Sequence, residues 1–307
     1  MIGKDAAGIK PSLLYSIFTV CNIVFLIALA LLCVIPIINI LAISFSTPAI
    51  ASGGKVTLWP INDNMKLFFN MDAYNAIIHN RFFWSSLWIS LERVTLGTAL
   101  NLAMTILTSY VLSRDSDYFK ARKYYIWFFF FPSLFSGGLI PTYLIIRFTG
   151  LYDTIWSLII PGSAGIWNCV LMLNFFRQLP KEMEEAAIVD GSNHPGLLFR
   201  IILPVSKPVI ATVALFVMVG HWNSWFDGMI YMSSISKAPL QTYLRSLLTI
   251  DLSMINDFRT AELAARQMST KTLRAAMVFV TALPIMCVYP FLQKYFAKGL
   301  VLGSVKG

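Results

Sequence analysis

Glu185-Ala186-Ala187-Ile188-Val189-Asp190-Gly191 and, nine residues further on, Ile201-Ile202-Leu203-Pro204 form an acidic, small-residue segment inside a chain that is otherwise strongly apolar. Just upstream, Pro180 suits the first turn of a helix, and Glu182, Glu184 and Glu185 complement the positive pole of that helix's dipole. Met183, Ala186 and Ala187 make a narrow apolar face that allows close approach to another surface. Gly191 supplies a stop, and Ser192 or Asn193 caps a second short helix that ends at Leu203-Pro204. The spacing therefore predicts a bent helical hairpin over residues 180–205. Helices that lie on a membrane surface favour Lys and Arg on the polar face. This one offers carboxylates, which suit a basic groove on a soluble partner better.

The rest of the chain is built for lipid. Of its 307 residues 57% are hydrophobic and 13% charged, with a mean hydropathy of +0.69, against about 25% charged in ordinary soluble domains. No Asp, Glu, Lys or Arg occurs in windows 11–54, 94–113, 124–146, 154–176, 208–226 and 275–293. A hydrocarbon core of about 30 Å needs about 20 helical residues, so the windows predict an all-α integral membrane protein with six transmembrane helices. Pro36, Pro132, Pro161 and Pro284 fall within spans and predict kinks. Lys4 and Lys10 precede an apolar run that resembles a secretory signal, but Leu13 to Ile43 is too long for one and reads as an uncleaved anchor.

Lys and Arg are densest in the short loops on the side that carries the hairpin, notably Arg114, Lys120, Arg122 and Lys123, which places both termini in the cytoplasm. The net charge of +9 fits basic inner loops beside anionic lipid and calls for no nucleic acid. Cys21, Cys33, Cys169 and Cys287 have neither zinc-site nor disulfide spacing. Gly54-Lys55 is followed by Val56 and lacks a leading glycine, so no phosphate-cradling Walker A loop is present.

Three parts follow: 1–83, an amino-terminal tail, first helix (13–43) and outer loop; 84–296, a five-helix core with the hairpin and an outer loop at 232–272; and 297–307, a cytoplasmic tail. Within helix 2 (84–112), Glu92 and Arg93 sit near the outer end, close enough to the interface to snorkel. Gly137-Gly138 bends helix 3, and Pro161-Gly162 breaks helix 4 (153–177). On helix 5, His221, Trp222, Asn223 and Trp225 combine aromatic faces with hydrogen-bonding groups, as a sugar pathway requires. A packed helix interface explains the same residues equally well.

Seven positions, Glu185, Ala186, Ala187, Gly191, Ile201, Leu203 and Pro204, resemble at its own spacing the cytoplasmic loop signature of the membrane subunits of ATP-binding-cassette (ABC) importers. Gly137 to Leu144, Gly220 to Phe226, Tyr289 to Phe296 and the ending Gly299 to Gly307 are similar to the maltose-type, oligosaccharide branch of carbohydrate-uptake permeases, including lipo-oligosaccharide and uronate-oligosaccharide importers. The resemblance implies a type I importer permease fold in the bacterial inner membrane. It implies that the hairpin, with Glu182 beside the motif residues, seats in an ATPase subunit, Glu185 pairing with a basic residue there. Val305, Lys306 and Gly307 would form a tail between the ATPases. It further implies a non-catalytic subunit that binds no cofactor, with ATP-Mg held by two partner ATPases. A second homologous permease, giving a heterodimer, and an extracytoplasmic binding protein that delivers an oligosaccharide complete the assembly. The outer residues Arg147, Arg245 and Arg259 are compatible with an acidic, uronate-containing cargo and equally with lipid or partner contacts.

The competing readings are an ion-coupled secondary sugar carrier, a membrane enzyme, or an ABC permease for a non-sugar solute. The charge-free windows lack the intramembrane carboxylates of a proton-coupled carrier. His79, His194 and His221 are scattered, which disfavours an enzyme.

Overall fold

The computed structural model describes residues 13–114, 119–135, 137–249 and 271–290; among them the regular structure is helical, with one isolated antiparallel bridge between Ile61 and Leu67. The chain divides into two compact units, Met1–Ile77 with Leu252–Phe279 and Ile78–Asp251 with Val280–Gly307.

The first unit is built on α1 (Leu13–Phe45), which continues through Pro36. Its large apolar side chains from Leu14 to Ile38 are exposed. A helix apolar on every side is satisfied by an apolar solvent, which a bilayer supplies. At its carboxy-terminal end hydroxyls take over. Ser46 Oγ donates to Ala42 O at 2.8 Å and accepts from Ile61 N at 3.1 Å, while Ser44 Oγ pairs with Tyr74 OH at 2.7 Å. α2 (Pro48–Ser52) opens on proline, and α3 (Asp72–Ile78) carries Tyr74, whose ring stacks on Phe45 at 4.7 Å between centroids. Much of the segment read as a loop over 44–83 is thus folded against the end of α1.

In the second unit everything is arranged on α4 (Arg81–Ser113). Asn80 caps it, its Oδ1 accepting from Phe82 N at 2.9 Å. Along α4, Ser86, Ser90, Arg93, Gly97, Asn101, Thr105 and Ser109 recur every three or four residues, and all are buried. Trp88, Leu91, Leu96, Met104 and Leu107 face outward. This is amphipathicity turned inside out: residues four apart share a face, small ones let neighbouring helices approach, and in lipid the polar face belongs inside. The stripe is largely satisfied. Ser90 Oγ accepts from Leu240 N at 2.8 Å, Asn101 Nδ2 donates to Gly162 O at 3.0 Å, Thr105 Oγ1 donates to Asn101 Oδ1 at 3.2 Å and Ser109 Oγ donates to Cys169 O at 3.0 Å.

α5 (Arg122–Leu134) and α6 (Leu139–Phe148) occupy the third expected span, and α7 (Trp156–Gly162) and α8 (Ile166–Arg177) the fourth. The interruptions expected at Gly137-Gly138 and Pro161-Gly162 are present, whereas α1, α5 and the last helix, Lys271–Pro290, run on through Pro36, Pro132 and Pro284. Gly138 opens α6 at φ +84°, a conformation open to glycine, and α7 and α8 meet at 48°. α9 (Lys181–Val189) and α10 (His194–Val205) form the hairpin, and α11 (Lys207–Asn223) leaves α10 at 82°. α12 (Phe226–Tyr231), α13 (Leu240–Thr249) and α14 (Lys271–Pro290) follow. By length and composition α1, α4 and α14 can each cross a membrane; counting each bent pair as one span, the total reaches six. Residues 250–270 of the 232–272 segment, and the tail with Val305, Lys306 and Gly307, lie outside the described residues.

Candidate functional site

The hairpin closes as its sequence implies. Gly191, at φ +78°, follows α9; Ser192 N donates to Ala187 O at 2.9 Å and Gly191 N to Ile188 O at 3.0 Å, the paired bonds of a Schellman stop. Asn193 then caps α10, its Oδ1 accepting from Gly196 N at 2.8 Å. Of the two caps the sequence offered, asparagine is used. Leu197–Ile202 is wound as a π-helix before Pro204, which has no N–H to donate to the carbonyl four residues back.

The small apolar face of α9 is divided. Ala187 is buried with Leu197, Leu198, Ile202, Val209 and Met172, whereas Ala186, Glu185, Glu182 and Val189 are exposed. Ile201 and Leu203 pack against the same core; Pro204 is exposed. Burying Leu197, Leu198 and Ile202 away from water contributes about 1.5–3 kcal/mol each, which holds the second arm against the core that Ala187 of the first arm shares.

The carboxylates are divided too. Glu184 pairs with Arg114 through both oxygens, one contact being Arg114 Nη2 to Oε1 at 2.8 Å. The guanidinium lies 4.5 Å from the centroid of Tyr110, and Tyr110 OH is 3.2 Å from His194 Nδ1. Arg122 Nε donates to Leu112 O at 2.9 Å. The end of α4 is therefore tied to both arms of the hairpin, to α9 through Glu184 and to α10 through His194. Glu185 is left exposed on the rim of a groove of about 610 Å³ that Arg114, Arg122, Arg177 and Lys181 also line.

A second pocket of about 480 Å³, an open groove, lies beside the middle of α4. One wall is an ion pair: Arg93 reaches both oxygens of Asp227, with Nη1 to Oδ1 at 3.2 Å, and also donates to Ser224 O and Leu158 O at 3.4 Å. Asp227 Oδ1 further accepts from Ser224 Oγ at 2.8 Å and Gly228 N at 2.9 Å. The snorkelling expected of Arg93 does not occur. Its side chain is 3% exposed, because Asp227 and two carbonyls compensate the guanidinium inside the bundle more completely than an interface would. Glu92, its neighbour on the helix, is half-buried.

The four helix 5 candidates part company. His221 lines this cavity, against Gly97. Trp222 is buried elsewhere, its Nε1 donating to Thr281 O at 3.1 Å, a packed interface. Asn223 is exposed, and Trp225 carries Arg245 at 5.0 Å over its ring. Arg93 was expected at the interface, and Gly97, Asn101 and Asn168 carry no sequence expectation. For Arg93, Gly97 and Asn101 the signal was the period-four run of small and polar residues in helix 2, each unremarkable alone. Among the described residues no group of His, Cys, Asp and Glu is arranged to hold a metal ion.

No family model matches the chain. It is 39% identical over 292 residues to Protein LplC of Bacillus subtilis (strain 168), covering 95% of each chain. It is 37% identical to the polygalacturonan/rhamnogalacturonan transport system permease protein YtcP of the same organism, over 92% of this chain and 96% of that one. Among solved structures, a chain of a bacterial ABC transporter involved in the import of the acidic polysaccharide alginate superimposes with a TM-score of 0.81 at 29% identity, over 94% of this chain and 100% of that one. With this likeness spanning nearly the whole of each protein, the chain belongs to the carbohydrate-uptake permeases of ABC importers.

Proposed function

We propose that this chain is one of two membrane-spanning permeases of an importer that moves a uronate-containing oligosaccharide into a bacterial cell, driven by ATP hydrolysed on two separate ATPase subunits. The observation that carries the coupling role is the capped hairpin, which fixes Glu185 and Ala186 outward while Ala187 anchors it to α4, α8 and α11. In this reading the chain crosses the membrane six times, and the hairpin, between the fourth and fifth spans, lies on the cytoplasmic side with both termini. An extracytoplasmic binding protein delivers the sugar, a related permease completes the pathway as a heterodimer, and 297–307 reaches toward the ATPases. Transport is alternating access: closure of the ATPases displaces the docked hairpin and reorients the helices. The acidic cargo is supported by the likeness to YtcP, a polygalacturonan/rhamnogalacturonan permease, and to the transporter of the acidic polysaccharide alginate. Two experiments test this. Detergent extraction of the tagged chain co-purifies an ATPase, and cells carrying the importer take up galacturonate oligosaccharides. Purification without an ATPase, from cells that take up no such sugar, contradicts the reading.

A further inference from the structure

The groove of about 610 Å³ beside the hairpin is lined by more positive charge than its carboxylates balance. Glu184 neutralises Arg114. Arg122, Arg177 and Lys181 then stand against one carboxylate, Glu185. Among the described residues neither Arg122 nor Arg177 forms an ion pair with a carboxylate. Both turn instead to a single acceptor near the end of α4, Leu112 O, Arg122 through Nε at 2.9 Å and Arg177 through Nη2 at 3.5 Å. A helix carboxy terminus carries about half a negative charge. Two guanidiniums bring two full positive charges to it, so capping α4 leaves most of their charge unbalanced. Both terminal nitrogens of Arg122 make no hydrogen bond among the described residues, and such forked N–H groups match the oxygens of a phosphate.

The groove stands at headgroup depth. It lies where α4 and α8 end, at Ser113 and Arg177, and where α5 begins, at Arg122, all three helices being parts of candidate membrane spans. Just past Arg122, Tyr124, Tyr125, Trp127 and Phe128 are exposed, and aromatic rings of this kind belong at the boundary between headgroups and acyl chains.

We propose that the groove holds the phosphodiester of an anionic phospholipid from the leaflet on the hairpin side, with Arg122 and Arg177 donating to the phosphate oxygens and Lys181 adding charge. Basic pockets between spans take lipid headgroups in this way. The surplus of cations favours a headgroup of net negative charge over a zwitterionic one. A bound headgroup joins the ends of α4, α5 and α8 beside the arm that carries Glu185. The inference rests on the membrane-spanning part of the reading above and not on its cargo.

The test uses the complete importer purified in neutral detergent, at about 0.15 M salt to screen distant charges. The probe is dioctanoyl phosphatidylglycerol with a diazirine on its headgroup. Irradiation attaches it to peptides carrying Arg122, Arg177 or Lys181. Unlabelled phosphatidylglycerol displaces it, and phosphatidylcholine or inorganic phosphate at the same concentration does not. A charge-assisted hydrogen bond is worth about tenfold or more, so Arg122→Gln with Arg177→Gln raises the half-saturating concentration at least about tenfold. Lys120 and Lys123 are exposed and do not line the groove, and Lys120→Gln with Lys123→Gln leaves that concentration within about twofold. Attachment only elsewhere on the chain, equal displacement by phosphatidylcholine, or equal sensitivity to the two double substitutions overturns the lipid site. Displacement by inorganic phosphate assigns the groove to a soluble anion and overturns it as well. The displacement arms use the natural chain and decide the matter even where Arg122→Gln disturbs folding. Galacturonate oligosaccharide uptake by the same importer in vesicles tests the import reading separately, since its failure leaves a lipid-labelled groove standing.

Discussion

Gly97→Ala sets two physical effects of opposite sign against each other. A Cβ at Gly97 would stand 2.5 Å from His221 Nε2 and 2.8 Å from Cδ2 and Cε1. Ordinary contact needs about 3.5–4.0 Å, so ring and helix must part by about 1 Å. Overpacking of that kind costs about 1–3 kcal/mol. Helix preference acts the other way, since Ala in place of a helix-interior Gly gains about 0.5–1 kcal/mol. The clash wins at central values, leaving a net loss of about 1–2 kcal/mol, or a fall of about 2–8 °C in thermal midpoint by the scaling for domains of comparable size. Thermal unfolding of the purified importer complex measures it. In a His221→Ala background the Cβ enters vacated space, the clash disappears and the same substitution becomes stabilising by about 0.5–1 kcal/mol. A rise in midpoint for Gly97→Ala in the natural chain, or the same change in both backgrounds, refutes the close approach of α4 and α11.

Removing one member of the Arg93–Asp227 pair should be worse than removing both. Asp227→Ala strands a buried guanidinium at a cost of about 3–5 kcal/mol, and folded complex is lost by size-exclusion analysis, whereas Arg93→Leu with Asp227→Leu retains more of it. At the hairpin, Arg114→Glu and Glu184→Arg each lower sugar uptake per ATP hydrolysed, and the two together restore it in reconstituted vesicles, because the pair joins α9 to α4. In the turn between α6 and α7, hydrogen bonds from Lys237 and Ser233 N hold the Asp153 carboxyl at about 2. A folded value below the unfolded one stabilises the turn above the unfolded value near 4 and loses that stabilisation as pH falls through about 2. Protection of the Ser233 amide from hydrogen exchange therefore persists down to about pH 3, and Lys237→Met shifts its loss to higher pH.

The hairpin was legible because its determinants are local: Pro180, Gly191 and Asn193 act within a turn of where they stand, and capping is a nearest-neighbour matter. The breaks at Gly138 and Pro161-Gly162 were legible for the same reason. Pairings across the bundle were not. Arg93 and Asp227 are separated by 134 positions, and nothing near either residue announces the other, so Arg93 read as a side chain reaching for the interface. The inward polar stripe of α4 was written in the sequence at spacings of three and four. Absence of charge defines the window 94–113 and carries no information on the periodicity of its serines and threonines. Trp222 shows the limit of residue-type reasoning: an indole suits a sugar face and a helix interface alike, and only its bond to Thr281 O distinguishes them.

Glu185→Lys tests the coupling role of the hairpin most directly. The exposed carboxylate makes no contribution to the core that Ala187 anchors, so the substituted chain should insert and fold. Reconstituted with its partners, it should show no oligosaccharide uptake and no sugar-stimulated ATP hydrolysis. Uptake and hydrolysis at the level of the natural chain would contradict the account.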